Sequence, residues 1–396
     1  MSKEKRRVPK LRFPGFTEDW EQRKFGEIMT FLNGRAYKQD ELLEDGKYKV
    51  LRVGNFYTND SWYYSDLELD DKYYAMNGDL LYTWSATFGP HIWKGEKVIY
   101  HYHIWKLVLQ DKIDKLFALQ LLEVDKANIM SDKNGSTMVH ITKQGMENKQ
   151  TILPISLNEQ KQIAKFLSSM DKLITLHQRK LNNLKLKKKA LFQKLFPKNG
   201  ERYPELRFPG FTDAWEQCEL EELCNIYDGT HQTPRYTNNG VMFVSVENIK
   251  TLESDKYISE DDFKSEFKIS PEYGDILLTR IGDVGSANII LDNIKRAYYV
   301  SLALLKPKDI SSLFLLALLA SFSVQSEIWR RTLHIAFPKK INKNEIGKVI
   351  VNKPSIPEQK KIGELIYALD RTVTLHQRKL DHLQLQKKAL LQQMFV

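Results

Sequence analysis

Two stretches of this chain place apolar side chains at the alternating three- and four-residue spacing of a helix seam. Counting in sevens puts Leu167, Met170, Ile174, His177, Leu181, Leu184, Lys188, Leu191 and Leu195 on one face. A second series runs Ile366, Leu369, Val373, His376, Leu380, Leu383, Lys387, Leu390 and Met394. More than three heptads with matching polar interruptions predict a coiled coil and not an isolated surface helix. Ser156-x-x-Glu159 and Ser355-x-x-Glu358 both fit a capping box, in which the serine accepts from the third helical amide and the glutamate reaches back to the serine amide. Both helices are predicted to start there. Elsewhere the pattern shortens to strand-like runs: LRVGNF from Leu51, GDLLYTW from Gly78 and VIYHYHIWKLVL from Val98, then VSVENI from Val244, GDILLTR from Gly274 and AYYVSLALLKP from Ala297. Short helical stretches follow at Leu116 and Leu313.

These elements come in two copies. Leu11 to Gln22 reads LRFPGFTEDWEQ and Leu206 to Gln217 reads LRFPGFTDAWEQ, 195 residues downstream. At an offset of 199, Glu159-Gln160-Lys161 returns as Glu358-Gln359-Lys360, LHQRKL from Leu176 returns from Leu375, and KKAL from Lys188 returns from Lys387. The order is A, B, A′, B′: an internal duplication with pseudo-twofold symmetry. The intervening segments, about 23 to 150 and 218 to 350, share only a skeleton, including Asn33-Gly34 against Asp228-Gly229. A kept scaffold with diverged loops implies two related modules that read two different things. The fold class is α/β (α+β), two globular modules separated by two long helices. Its divisions are 1–153, a first module; 154–197, a first long helix; 198–353, linker and second module; and 354–396, a second long helix.

The helices are each other's natural partners. A parallel pair in register would set Lys188 against Lys387 across an apolar seam, whereas antiparallel pairing centred near Leu181 and Leu380 separates them by two heptads, roughly 21 Å. An antiparallel coiled coil is therefore expected, as a rod about 60 Å long that holds the modules roughly one turn of B-DNA apart, about 34 to 36 Å. His177 and His376 sit in the seam, where setting register is a better explanation than catalysis.

Composition narrows the partner. The chain has 396 residues, 60 Lys+Arg against 50 Asp+Glu and a net charge of +10. That is a modest excess, but the stretch from Pro154 to Phe196 alone holds ten Lys/Arg against two acids. It is either a solvated helix face or a surface laid along an anionic backbone. Cys218 and Cys224 are the two cysteines, and their spacing suits neither a disulfide scaffold nor half of a zinc site. The longest apolar run, Leu313 to Ala320, is far short of a bilayer span, and Met1 to Lys10 lacks a signal-peptide core, so a cytoplasmic chain with no membrane partner is expected.

The A, B, A′, B′ order, the LRFPGFT openings, the GDLL and GDIL strands and the helix starts Pro154 to Ile163 and Pro354 to Ile362 resemble the specificity subunits of Type I restriction-modification enzymes. The resemblance covers nearly the whole chain. It implies that each module is a target-recognition domain reading one half of an asymmetric, bipartite double-stranded DNA target. It further implies that the helices set the spacer and dock two methyltransferase subunits, and that restriction-translocase subunits join through these. The chain would be non-catalytic and hold no cofactor, with S-adenosylmethionine, ATP and magnesium on the partner subunits. A stand-alone bipartite DNA-binding regulator without enzyme partners is the alternative.

Catalytic motifs point the same way. Gly46-Lys47 and Gly347-Lys348 lack the upstream glycine and the following Ser/Thr of a phosphate loop. The chain also has no Asn/Asp-Pro-Pro-aromatic motif. Glu159-x-Lys161 and Glu358-x-Lys360 match half of a nuclease metal motif, but capping already explains the glutamates. His101-x-His103 would share a strand face, yet a second ligand pair is not evident, so no metal site is expected. Candidate DNA contacts are Arg35 and Lys38 after Gly34, and Thr230, His231, Arg235 and Tyr236 after Gly229. Asn55 and Asn248 follow the next strand, and Trp84, Ser85 and Arg280 follow the GDLL and GDIL strands. Arginine can pair with guanine and asparagine with adenine in the major groove. A structural role competes with base contact at each of these, and Lys143, Lys339 and Lys340 are phosphate candidates only.

Overall fold

The computed structural model describes residues 8–57, 59–85, 87–131, 141–198 and 200–395. Most of the charged opening stretch, residues 1–7, lies outside them. The chain divides into two compact units, Met1–Gln178 with Lys379–Val396, and Arg179–Arg378. Each unit thus combines one module with half of each long helix, Leu157–Leu195 and Ile356–Met394.

In the first unit, β1 (Glu21–Lys24) pairs with β10 (Gln150–Leu153), which leads into the first long helix. Between them lie β2 (Met29–Asn33), β3 (Tyr48–Leu51), β4 (Tyr63–Ser65), β5 (Tyr74–Ala75), β6 (Leu80–Thr83), β7 (Gly89–Ile92), β8 (Val98–Tyr100) and β9 (Ile104–Leu109). They form two four-stranded sheets, β2-β9-β6-β7 and β4-β3-β8-β5. The first is antiparallel throughout, and in the second β3 and β8 run parallel. The run from Val98 is therefore not one strand. It breaks at His101-Tyr102-His103 so that β8 joins one sheet and β9 the other, which removes the shared strand face expected for the two histidines.

The second unit repeats this plan. β11 (Glu216–Glu219) pairs with β20 (Ile350–Lys353). β12 (Cys224–Asp228), β19 (Leu302–Pro307), β16 (Ile276–Thr279) and β17 (Ala287–Ile289) form the antiparallel sheet. The mixed sheet has the order β13 (Tyr236–Thr237), β15 (Tyr257–Ile258), β14 (Val241–Val244), β18 (Arg296–Tyr298). The kept parallel pair is β3-β8 in one unit and β14-β18 in the other. The outer strand differs: β5 adds to β8 in the first unit, whereas β13 adds to β15 in the second. Divergence is thus concentrated at sheet margins and loops.

The recurring sequence motifs hold each module to its helices. Glu159, 1% exposed, receives Arg12 Nε at 2.7 Å and Nη2 at 2.8 Å, with Trp20 Nε1 at 3.3 Å. Buried Glu358 receives Arg207 Nε at 2.8 Å and Nη2 at 2.9 Å. The expected capping boxes are corrected accordingly. Ser156 Oγ does accept from Glu159 N, at 3.4 Å, but both Glu159 carboxylate oxygens are taken by the arginine fork and do not serve as the return arm. The adjacent glutamine stitches neighbouring backbone: Gln160 bonds Asp114 N and the Lys112 and Pro154 carbonyls, and Gln359 bonds Ser311 N and the Pro354 carbonyl. In GDLL and GDIL, the glycines Gly78 and Gly274 adopt φ of 93° and 89°, and the aspartates cap the turn and meet a lysine of the neighbouring strand, Asp79 with Lys106 at 2.8 Å and Asp275 with Lys306 at 2.6 Å.

Antiparallel pairing is seen within each unit. In the first, Lys387 reaches Asp171 at 2.5 Å, while Phe395 packs on Trp20 and Phe117 in the core that also contains Ile163 and Leu167. In the second, Lys188 pairs with Asp370, and Phe196 packs on Trp215 and Phe314 beside Ile362 and Ile366. Each seam lysine is thus answered by an aspartate on the facing helix. Leu167, Leu181, Leu195, Ile366, Leu380, Leu383 and Met394 are buried, and the remaining seam positions are half-buried. Among the described residues no single helix is long and apolar enough to cross a membrane, and the apolar helix Ser312–Leu319 lies in the second module's core. Both cysteines are free and buried, and burial pushes Cys218 up to about 11 and Cys224 up to about 12.

Candidate nucleic-acid interface

Each module exposes one edge built from the loops that leave its antiparallel sheet. Gly34 and Gly229 begin these loops, because a Cβ at either would stand 2.3 Å from the His101 carbonyl oxygen or 2.4 Å from that of Tyr298. Only glycine lets the backbone cross so closely.

In the first module, Arg35 is tied by backbone bonds to Tyr100 and Tyr102, and its guanidinium forks onto Glu41 at 2.7 and 3.1 Å. That ion pair holds the Glu41 carboxyl below its usual range. Lys38 is exposed at the start of the following turn. Trp84 donates to the Tyr102 carbonyl at 2.9 Å and stacks on Trp105, while His103 meets its ring edge-on. Ser85 lies half-exposed beside it. The loops thus bring Arg35, Trp84 and the turn His101-Tyr102-His103 together as an aromatic ledge. Burial, then His103 and Arg52, depress His101 to about 4, so its imidazole is neutral at physiological pH. Asn55 faces inward to its own loop: its oxygen accepts from Arg52 N at 3.0 Å, and its amide donates to the Asn59 and Ser61 carbonyls. Lys143 opens a short helix capped by Thr142 and is ion-paired with Glu147 at 3.6 Å.

In the second module, His231 and Arg235 are exposed on the loop after β12. Thr230 Oγ1 is engaged with Glu266 at 3.3 Å and with Gln232 N. Tyr236 is half in solvent, edge-on to Phe243 with Lys256 over its ring. Asn248 repeats the inward geometry of Asn55, accepting from Ser245 N at 2.9 Å and donating to the Glu253 carbonyl at 2.8 Å. Arg280 is buried, bonded to the Ile341 carbonyl and ion-paired with Asp228. The polar atoms of Asn55, Asn248 and Arg280 are therefore spent on shaping the edge. Lys339 lies 4.9 Å over the Trp329 ring, and Lys340 bridges Ile281 and Leu333 through its backbone. Lys343 lines a cleft with Thr230 and His231. Sequence reasoning missed it, although Ile341-Asn342-Lys343 repeats Ile141-Thr142-Lys143 and the first lysine was singled out. Tyr57 and His91, joined at 3.0 Å beside Thr83, were also missed. Among the described residues no group of His, Cys, Asp and Glu is arranged to hold a metal ion.

The repetition of one scaffold in the two half-chains has its counterpart in a known family. The profile of the type I restriction modification DNA specificity domain matches residues 17–186 and again residues 212–385. The chain belongs to this family. The type I restriction enzyme MjaVIII specificity subunit of Methanocaldococcus jannaschii is 26% identical over 406 residues, spanning 96% of this chain and 92% of that one. The putative MjaX specificity subunit of the same organism is 28% identical over 235 residues, 52% of each chain. The crystal structure of the type I restriction-modification S subunit from M. genitalium superposes with a TM-score of 0.69 at 17% identity, over 98% of this chain and 99% of that one, a likeness of fold. As a specificity subunit, the chain is a recognition component and not a catalytic one.

Proposed function

We propose that each module reads one half of an asymmetric, bipartite target in double-stranded DNA, and that the antiparallel helices set the unread spacer and dock two methyltransferase subunits. Restriction-translocase subunits join through those. One observation carries this reading: the residues that clasp module to helix recur in both copies, Arg12 with Glu159 and Arg207 with Glu358, while the loop edges differ. Aromatic side chains dominate the first edge and His231, Arg235 and Lys343 the second, which supports two different half-sites.

The helices support the ruler and docking roles. Each runs 39 residues, about 58 Å at 1.5 Å per residue, enough to bridge the roughly 34–36 Å between successive half-sites on one face of B-DNA. Leu176 and Leu375 are 61% and 60% exposed, and Leu186 and Leu385 are 65% and 66% exposed. Equal exposure of large apolar groups at matching positions suits two copies of one partner. The basic first helix suits phosphates between the half-sites. On this reading the methyl donor, ATP and magnesium belong to the partners, and the complex works in the cytoplasm.

Affinity purification from cells, combined with single-molecule methylome sequencing, tests the proposal. Two methyltransferase copies per chain and a split, non-palindromic methylated motif are expected. DNA binding with no co-purifying methyltransferase would favour the stand-alone regulator.

A further inference from the structure

Between Leu333 and Lys340 the second module carries a hairpin with an anchored stem and a bare tip. Leu333 N donates to the Lys340 carbonyl at 2.8 Å, Gly282 N to the Lys339 carbonyl at 2.8 Å, and Ile341 N to the Arg280 carbonyl at 2.9 Å. His334 meets the Trp329 carbonyl at 2.9 Å. Beyond this stem, Ile335 is 100% and Phe337 104% exposed, as open as in an extended chain. Large apolar side chains held so fully in water on a fixed stem mark an interaction site.

The charge around the tip selects the occupant. From Ile328 to Asn344 the chain has no acidic residue, while it has Arg330, Arg331, Lys339, Lys340 and Lys343. The two arginines are ion-paired with Glu327. Among the described residues Lys339 and Lys340 are exposed with no carboxylate partner, so the rim beside the tip is positive, while Lys343 is half-buried in a cleft that Asp228 and Glu266 also line. The stem springs from the same edge as the exposed loop after β12: Arg280 joins it to Asp228, and Lys343, just past it, lines the cleft with His231. An apolar point within a basic rim matches a polyanion whose interior is a stack of flat apolar rings.

We propose that the Ile335–Phe337 tip is a wedge that enters the base stack of duplex DNA at or beside the half-site held by the second module, while Lys339 and Lys340 hold the flanking phosphates. Phenylalanine and isoleucine are among the side chains that part base steps in this way. The inference rests on the DNA-specificity reading and adds to it a source of selectivity with no hydrogen bond to a base. Pyrimidine–purine steps unstack most readily, so the wedge favours such a step where it enters.

The test uses the complex of the full chain with its methyltransferase subunits and a duplex bearing the methylated motif, with 2-aminopurine placed at one base after another through and beside the second half-site. Apart from the methylated base, which the methyltransferase itself takes out of the stack, the wild-type complex is expected to raise fluorescence at one step by about threefold or more as that base unstacks. The Ile335→Ser, Phe337→Ser double variant, in which only exposed side chains change, should keep its melting midpoint and its binding by anisotropy but lose the rise. The Lys339→Ala, Lys340→Ala double variant should lower the salt slope of binding by about 2. No rise at any step other than the methylated base, or a rise there that survives in the serine variant, overturns the wedge. Loss of methyltransferase co-purification in the serine variant, with the rise retained, would assign the tip to a protein partner and also overturns it. Failure of the wild-type complex to prefer the motif over unrelated duplex would instead reject the DNA reading itself, and the wedge with it.

Discussion

The Arg12–Glu159 pair shows how a buried charge is held in this protein. Glu159 is 1% exposed and the Arg12 side chain 13%, and the fork geometry satisfies both carboxylate oxygens. Removing one partner strands the other without water, at a cost of about 3–5 kcal/mol. Glu159→Ala is therefore expected to lower urea stability by that order, whereas Arg12→Ala added to it should cost little more. Additive losses in the double-mutant cycle would contradict the assigned coupling. His91 gives a second residue-scale prediction. Its ring stacks on Phe56 at 4.2 Å, and burial, followed by repulsion from Lys126, lowers it from 6.5 to about 4. The unfolded chain then takes up the proton first, so stability present above pH 6.5 is lost as the pH falls through about 4. His91→Phe, which keeps a stacked ring and cannot titrate, should flatten the fall of the melting temperature between pH 6.5 and 4. An unchanged slope would remove His91 as a cause.

At the scale of elements, the seam lysines are the clearest case of legible sequence. Lys188 and Lys387 alone argued against parallel pairing, and the structure adds what that argument lacked, the aspartates Asp370 and Asp171 that meet them. Both pairs are partly exposed, so each contributes no more than about 1 kcal/mol. Asp171→Lys with Asp370→Lys should lower the melting temperature by several degrees. Exchanging Lys188 and Lys387 for aspartate in the same chain should restore most of it, and failure to restore it would show that the seam is indifferent to these charges. The helix starts were legible in position but not in chemistry: the serine–glutamate spacing fitted a cap, while the true partner of each glutamate stood 147 or 151 residues away. Local pattern cannot reveal a partner that only folding brings near. The same limit hid the break at His101-Tyr102-His103, where one continuous strand-like run gives no sign that two sheets share it. At the candidate edge, sequence identified the loops through Gly34 and Gly229, but residue type did not reveal that Asn55, Asn248 and Arg280 spend their polar atoms on the loops themselves.

At the scale of the whole molecule, the duplication makes two roles separable. The clasp and seam residues recur while the sheet margins and loops vary; on the proposed reading the first set the frame and the second what is read. If the helices act as a ruler, adding one heptad to each, about 10.5 Å, should lengthen the unread spacer of the methylated motif and leave both half-sites unchanged. An unchanged spacer would contradict the ruler. The central claim is that each module reads its own half-site independently of the other. Single-molecule methylome sequencing of cells in which residues 23 to 150 are exchanged for the corresponding module of another specificity subunit tests this most directly. The predicted result is a motif with one half replaced and the other half and spacer kept, whereas a motif altered in both halves would contradict it.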